Sequence, residues 1–217
     1  MVRQSGTGTG RRPVAVHAGD DGRRRADGWR YPGPIPLPLR YPDPPLSGPG
    51  FVLRPFRAAD FVPARAFAAD PATSRWVPPL PADDPDRVVS SFEQYRADGD
   101  LLHLVIADAA DDSYLGEVML VMGDHDVGEV GCGVVAPHRG TGIATAALRL
   151  LDRWCVDGLG VQRLQALVAA DNPAGLDLAG RVGFRAEGLL RGYWGDGDHR
   201  VDVVMHGMLP GEVPPAG

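Results

Sequence analysis

The chain has 217 residues, of which 44% are hydrophobic and 23% charged, and a net charge of −6, values that fit one packed domain with extensions. Its longest apolar runs, 101–107 and 118–122, fall far short of the roughly 20 residues that cross a bilayer, which excludes a membrane span. The two cysteines, Cys132 and Cys155, form no CxxC pair, which excludes a disulfide framework and a cysteine zinc site, and the absence of Lys excludes a Lys nucleophile or Schiff base.

Residues 1–50 carry eight Arg against four Asp, a net of +4, together with nine Pro and nine Gly. The remainder therefore holds −10, a charge that repels nucleic-acid phosphates and favours cationic substrates. The first fifty residues are expected to be a disordered arm, because such a composition buries too little apolar surface to offset its ordering entropy. The alternating Pro stretch from Tyr31 to Leu39 is expected in polyproline II geometry, and docking of a partner through this arm stands beside a solvated tail as its role. No apolar h-region occurs in residues 1–12, so a cytoplasmic protein without a membrane partner is expected. The domain itself is expected over 51–210, with 211–217 as an exposed tail.

From Phe51 the pattern becomes one of strands and helices. Phe51 to Phe56 predicts a strand, Ala58 to Ala69 a helix opened near Asp60, and Asp84 to Ala97 a second helix. Leu101 to Ala107 and Tyr114 to Met122 predict a hairpin around the turn-forming Asp111-Asp112-Ser113. Glu129 to Val135 is the next strand, and its Gly131 and Gly133 suggest a bulge or a close backbone approach. A long helix follows, with Ile143, Ala147, Leu150, Leu151 and Trp154 on one face, ended by Gly158 and Gly160. Arg163 to Val168 predicts a strand, Pro173 to Arg181 a helix with Pro in its first turn, and Phe184 to Leu190 and Val201 to Met208 the last strands. Asp124-His125-Asp126 and Asp196-Gly-Asp-His199 are read as hydrophilic loops, with no metal expected.

The chemistry gathers between the strand ending at Val135 and the helix starting near Gly142. A strand, a Gly-rich turn and a helix N-terminus point unpaired backbone N–H groups and the positive end of the helix dipole at one spot, which is an anion site. Gly140 and Gly142 let a pyrophosphate approach the backbone, and Arg139 is expected to add charge-assisted hydrogen bonds. A Walker loop is excluded by the absence of Lys, and the dinucleotide fingerprint by Thr145 at its third glycine position.

Arg139-Gly140-Thr141-Gly142-Ile143-Ala144 resembles the R/Q-x-x-G-x-G/A loop of GCN5-related N-acetyltransferases (GNAT). Asp171-Asn172-Pro-Ala and the stretch Val182-Gly183-Phe184-Arg185-Ala186-Glu187-Gly188-Leu189-Leu190-Arg191 are similar to the branch that contains the ribosomal-protein alanine acetyltransferases, as are Asp202 and Leu53-Arg54-Pro55-Phe56 with Asp60. The resemblance spans about 51–209. It implies a single α/β domain whose mixed, mostly antiparallel sheet, flanked by helices, is splayed at the acyl-CoA site. It also implies acetyl-CoA or another acyl-CoA as co-substrate, without a metal. The backbone of Val134 and Val135 would pair with the pantetheine amides, the amides of Arg139, Gly140, Thr141, Gly142, Ile143 and Ala144 would hold the pyrophosphate, and Asn172 would bind the pantetheine arm.

The implied reaction is attack of a neutral primary amine, on a protein N-terminus or a small molecule, on the thioester. Glu129 is the candidate base, and an N–H near Val135 the candidate oxyanion donor. The family's usual thiolate proton donors, a Ser and a Tyr, are replaced by Gly175 and Ala179. Tyr193, Tyr114, His199 or water are then the remaining donors, and a catalytically inactive acyl-CoA-binding or partner-binding module is the alternative function.

Overall fold

The computed structural model describes residues 38–77, 79–196 and 199–215. The arginine run, most of the Pro stretch and the rest of the arm up to residue 37 lie outside the described residues. Eight strands form one sheet in the order β1-β2-β3-β4-β5-β6-β8-β7, comprising β1 (Ser47–Gly48), β2 (Phe51–Pro55), β3 (Leu101–Asp108), β4 (Tyr114–Met122), β5 (Val127–Val134), β6 (Arg163–Ala169), β7 (Arg185–Asp196) and β8 (His199–Met208). All neighbours are antiparallel except β5 and β6. Among the described residues four α-helices flank the sheet, namely α1 (Phe61–Ala69), α2 (Pro85–Asp98), α3 (Ile143–Trp154) and α4 (Pro173–Val182). The expected α/β domain with a mixed, mostly antiparallel sheet is thus observed, and none of these helices is long and apolar enough to cross a membrane.

Alternation along the strands builds two cores. One face of the sheet packs Leu102, Leu104, Leu120, Val130 and Leu164 against Ala147, Leu148 and Leu151 of α3 and Ala179 and Val182 of α4. The other packs Val105, Ala107 and Tyr114 against Ala64 and Phe67 of α1 and Val88 and Phe92 of α2. The sequence dictates where α2 starts and stops. Asp84 accepts from the Arg87 N–H at 3.0 Å as N-cap, Pro85 fills the first turn, and Gly99 leaves the helix at φ 85°. The entry of α1 is pinned by Arg54, whose guanidinium holds both oxygens of the buried Asp60, at 2.7 and 3.0 Å, and Asp112 of the β3–β4 turn at 2.6 Å.

Three expectations are revised. The packed chain begins before Phe51: Leu39 is fully buried in the α3-side core, Tyr41 and Leu46 pack beside it, and β1 pairs with β2. The anticipated boundary after residue 50 falls in the turn of that hairpin. Asp196 and His199, read as part of a hydrophilic loop, instead end β7 and begin β8, with residues 197 and 198 outside the description. Asp202 accepts from the Gly192 N–H at 2.7 Å and Arg200 donates to the Gly192 carbonyl at 2.7 Å, while an irregularity between Leu190 and Trp194 absorbs the register change. The buried face of α3 is centred on Ala147, Leu148, Leu151 and Asp152, about one residue round from the predicted stripe, which leaves Ile143, Leu150 and Trp154 at its margins.

Candidate functional site

The parallel contact between β5 and β6 is short. Val127, Gly128 and Glu129 pair with Arg163, Leu164 and Gln165, after which β5 stays on β4 as far as Val134 and β6 stays on β8 as far as Ala169. Two strands that leave each other while remaining hydrogen-bonded on their outer sides make a V-shaped opening in the sheet. The glycines of β5 serve this region by close approach, since a Cβ on Gly133 would lie 2.4 Å from the Phe67 ring of α1. The Val135 N–H donates to the Leu115 carbonyl at 2.9 Å, so it faces β4 and is not available to a ligand or an oxyanion. Alternation turns the peptide groups of Val134 the other way, toward the opening.

At the open end the chain passes through a tight turn, Ala136–His138, and then Gly140 at φ 76° and Gly142 at φ 92°, the N-cap of α3. These left-handed conformations require glycine. A Cβ at Gly140 or Gly142 would meet nothing within 4 Å, so open space borders the turn on the side a side chain would take. Gly142 supplies no capping side chain and the first turn carries no acidic residue. The N–H groups of Ile143, Ala144 and Thr145 precede the bond from Ala146 N–H to the Gly142 carbonyl. Orphan donors and an unneutralised helix dipole therefore converge on one anion cradle. Thr141 closes the turn by donating to the His138 carbonyl at 2.7 Å.

Arg139 does not aim at that cradle. Its guanidinium donates to the Val134 carbonyl at 3.1 Å, to the Thr73 hydroxyl at 2.8 Å and to the Asp70 carboxylate, and beside it the Asp70 carboxyl is held below the usual carboxylate range. The expected charge contribution to a pyrophosphate is thereby replaced by a tether to the α1–α2 connection.

On the other lip, Asn172 is the N-cap of α4 and accepts from the Gly175 N–H at 3.1 Å. Its side-chain oxygen is spent on the helix rather than on a ligand. Gly175 is tightly housed, because a Cβ there would lie 2.8 Å from Asn172 Nδ2 and 2.8 Å from Val168 Cγ1. Ala179 is buried in the core. Neither position has room for the family's donor without local rearrangement.

Glu129 sits at the last paired position, where the V closes. It shares a face with Gly131 and Gly133, opposite α3, and Gln165 Nε2 stands 3.5 Å from its carboxylate. Burial pushes its carboxyl up from the ordinary value, and Gln165 opposes this weakly. Glu129 and Val134 are five residues apart along β5, roughly 17 Å at strand rise. Of the alternative donors, Tyr114 is buried and donates to Glu117 at 3.0 Å, beside His103 on Glu117 at 3.1 Å. Burial and that carboxylate push its phenol up, so it is a poor acid here. Tyr193 is half exposed on β7, and the His199 side chain lies outside the description.

Two ion pairs of this region were not read from the sequence, Arg139 with Asp70 and Arg75 with Asp171 at 2.8 Å. Their partners are 69 and 96 residues apart, and no local pattern signals such a contact.

Residues 51–185 match the family profile described as Acetyltransferase (GNAT) domain. Among curated proteins, the chain is 25% identical over 149 residues to the uncharacterized N-acetyltransferase p20 of Bacillus licheniformis, covering 66% of this chain and 84% of that one. It is 26% identical over 127 residues to the probable N-acetyltransferase YjcK of Bacillus subtilis, covering 54% and 69%. Among solved structures, Mycobacterium smegmatis RimJ in complex with CoA-disulfide superposes with a TM-score of 0.67 at 27% identity, over 78% of this chain and 88% of that one. Spermidine N-acetyltransferase from Vibrio cholerae in complex with CoA and spermine superposes with a TM-score of 0.64 at 20% identity, over 76% and 98%, a likeness of fold.

Proposed function

Because the chain belongs to the GNAT acetyltransferase family, whose profile it matches over more than half its length, we propose that it transfers an acetyl or other acyl group from acyl-CoA to a primary amine, on a protein N-terminus or a small molecule. The observation that carries this reading is the V between β5 and β6 opening onto the uncapped N-terminus of α3. The amides from Gly140 to Thr145 would take the pyrophosphate. The N–H of Val134 would meet the pantetheine arm, while its carbonyl is held by Arg139.

At the closed end, Glu129 would accept the proton that an alkyl ammonium must lose before it attacks. A base raised by burial is better matched to that task at neutral pH than an ordinary carboxylate. The thiolate needs less protonation than an alkoxide, since thiols ionise near pH 8.5, and bulk water suffices where Gly175 and Ala179 offer no donor. RimJ with CoA-disulfide and the spermidine enzyme with CoA and spermine are precedents for the cofactor and for an amine acceptor on this fold.

The reading is tested by thermal denaturation with CoA or acetyl-CoA. A ligand that binds only the folded chain stabilises it by about 2.7 kcal/mol at a hundredfold excess over Kd, or about 5–11 °C for a chain of this size. Gly142→Val should remove the shift, because a branched residue at φ 92° strains the turn and its side chain enters the open cradle. No shift at millimolar CoA overturns the assignment. The missing Ser and Tyr donors favour a second reading, a binding module without turnover, and this survives only if CoA binds while no amine in a broad panel is acylated.

A further inference from the structure

The connection from α1 to α2 reaches both strands of the V where they leave it. Near its start, Asp70 and Thr73 accept from Arg139, the residue immediately before Gly140 and the cradle. Farther on, Arg75 donates to Asp171, the residue immediately before the α4 cap Asn172, and its guanidinium lies 4.6 Å above the Trp76 ring. Residues 70–77 thus span from the β5 exit to the β6 exit, and Phe67 just before them sits against Gly133 on the Glu129 face of the sheet.

An isolated surface ion pair contributes little, but the Arg139 contact is more than a pair. One planar guanidinium is fixed by three acceptors on two elements, Val134 on β5 and Asp70 and Thr73 in the connection, and Thr73 is 5% exposed. A rigid fork held in this way transmits the position of its own backbone.

We propose that Arg139 and Asp70 are positioning residues, through which occupation of the cradle at 140–145 orders residues 70–77, the wall of the opening on the Glu129 side. The inference rests on the reading that the cradle takes the pyrophosphate of acyl-CoA. An anion bound to the amides beyond Arg139 fixes its backbone, and a guanidinium on a fixed backbone loses less freedom when it engages Asp70 and Thr73. Because such coupling is reciprocal, ordering of the wall by an acceptor would tighten CoA in turn.

Amide hydrogen exchange on the full chain, with and without CoA, tests this. In the wild type, CoA should slow exchange in both 140–145 and 71–77, the latter by about fivefold or more, the lower edge of measured couplings between sites. Asp70→Asn should keep the protection of 140–145 and lose that of 71–77, and Asp70→Glu, which restores a carboxylate, should recover it. Thr73→Val, which keeps the shape and removes the hydroxyl, should weaken it.

Protection of 140–145 without any change at 71–77 in the wild type overturns the proposal. So does Asp70→Asn that loosens 71–77 equally in both states while the CoA-dependent change persists, since that is the behaviour of a merely structural contact. Failure of CoA to bind or to protect 140–145 overturns the acyl-CoA reading and this inference with it.

Discussion

Glu129 and Asp152 are both carboxyls raised by burial, and their surroundings give them opposite prospects. Glu129 lies at the closed end of the V with one weak partner, Gln165. As a general base it should impose an acid limb on the pH profile of kcat/KM, with activity rising as it deprotonates. Glu129→Gln should lower kcat/KM for an alkyl amine by about a hundredfold at neutral pH, with CoA affinity unchanged and the loss shrinking where the amine is already neutral. A profile identical to that of the wild type would leave Glu129 a strand residue. Asp152 is fully buried in α3 beside the core, and neither carboxylate oxygen has a hydrogen-bond partner. Desolvation raises its pKa well above 3.8, so the folded state binds its proton more tightly than the unfolded chain. Stability is therefore complete below the unfolded value and is lost as pH rises toward the folded one. Asp152→Asn removes this dependence. At pH 7 it should raise Tm by about 2–4 °C, the equivalent of about 1 kcal/mol, and the gain should vanish near pH 4. Scanning calorimetry at the two pH values checks the sign.

At the scale of the element, the N-terminus of α4 shows how a helix cap constrains a catalytic position. Asn172 holds the Gly175 N–H, and its replacement by Ala should cost about 1 kcal/mol, read as a lower denaturation midpoint at constant slope. Gly175→Ser would supply the hydroxyl that the family resemblance leads one to seek. Its Cβ must displace Val168 Cγ1 and Asn172 Nδ2, each at 2.8 Å, and so disturbs the same cap. The expected result is a lowered Tm without any gain in kcat. A Ser variant as stable as the wild type and faster would show that the cap yields and that proton donation limits turnover.

For the molecule as a whole, the stretch before the first long strand belongs to the fold. Leu39 is fully buried, its N–H donates to the Arg96 carbonyl at 3.1 Å, its carbonyl accepts from the Arg96 guanidinium at 2.7 Å, and Tyr41 donates to Glu93 at 2.6 Å. Burying one Leu contributes about 1.5–3 kcal/mol. A chain that starts at residue 51 should therefore melt about 4–8 °C below one that starts at residue 38, from about 2 kcal/mol. Equal melting temperatures would show that these contacts are incidental.

By itself the sequence determined the order of the strands and helices from Phe51 on, their two periodicities, and the cradle at Gly140 and Gly142. Each is written in a short window, as an apolar repeat, a cap residue or a glycine that a positive φ requires. It also determined the family, since the residues that carry the resemblance are contiguous. Only the tertiary structure decided where Arg139 points, that Asn172 is occupied as a cap, that Gly175 has no spare volume, that Asp152 is unpaired in the core, and that Leu39 is packed. The Arg139 and Leu39 contacts depend on partners 69 and 57 residues away, while the Asn172 cap and the space at Gly175 depend on near neighbours whose side-chain placement only the packed helix and strand fix. Asp70 and Thr73 take the Arg139 guanidinium, Val168 limits Gly175, and Arg96 receives Leu39. Contacts between distant residues are set by how the sheet and helices close on one another, and a one-dimensional pattern records the residue types that can make them without recording which partner each one finds.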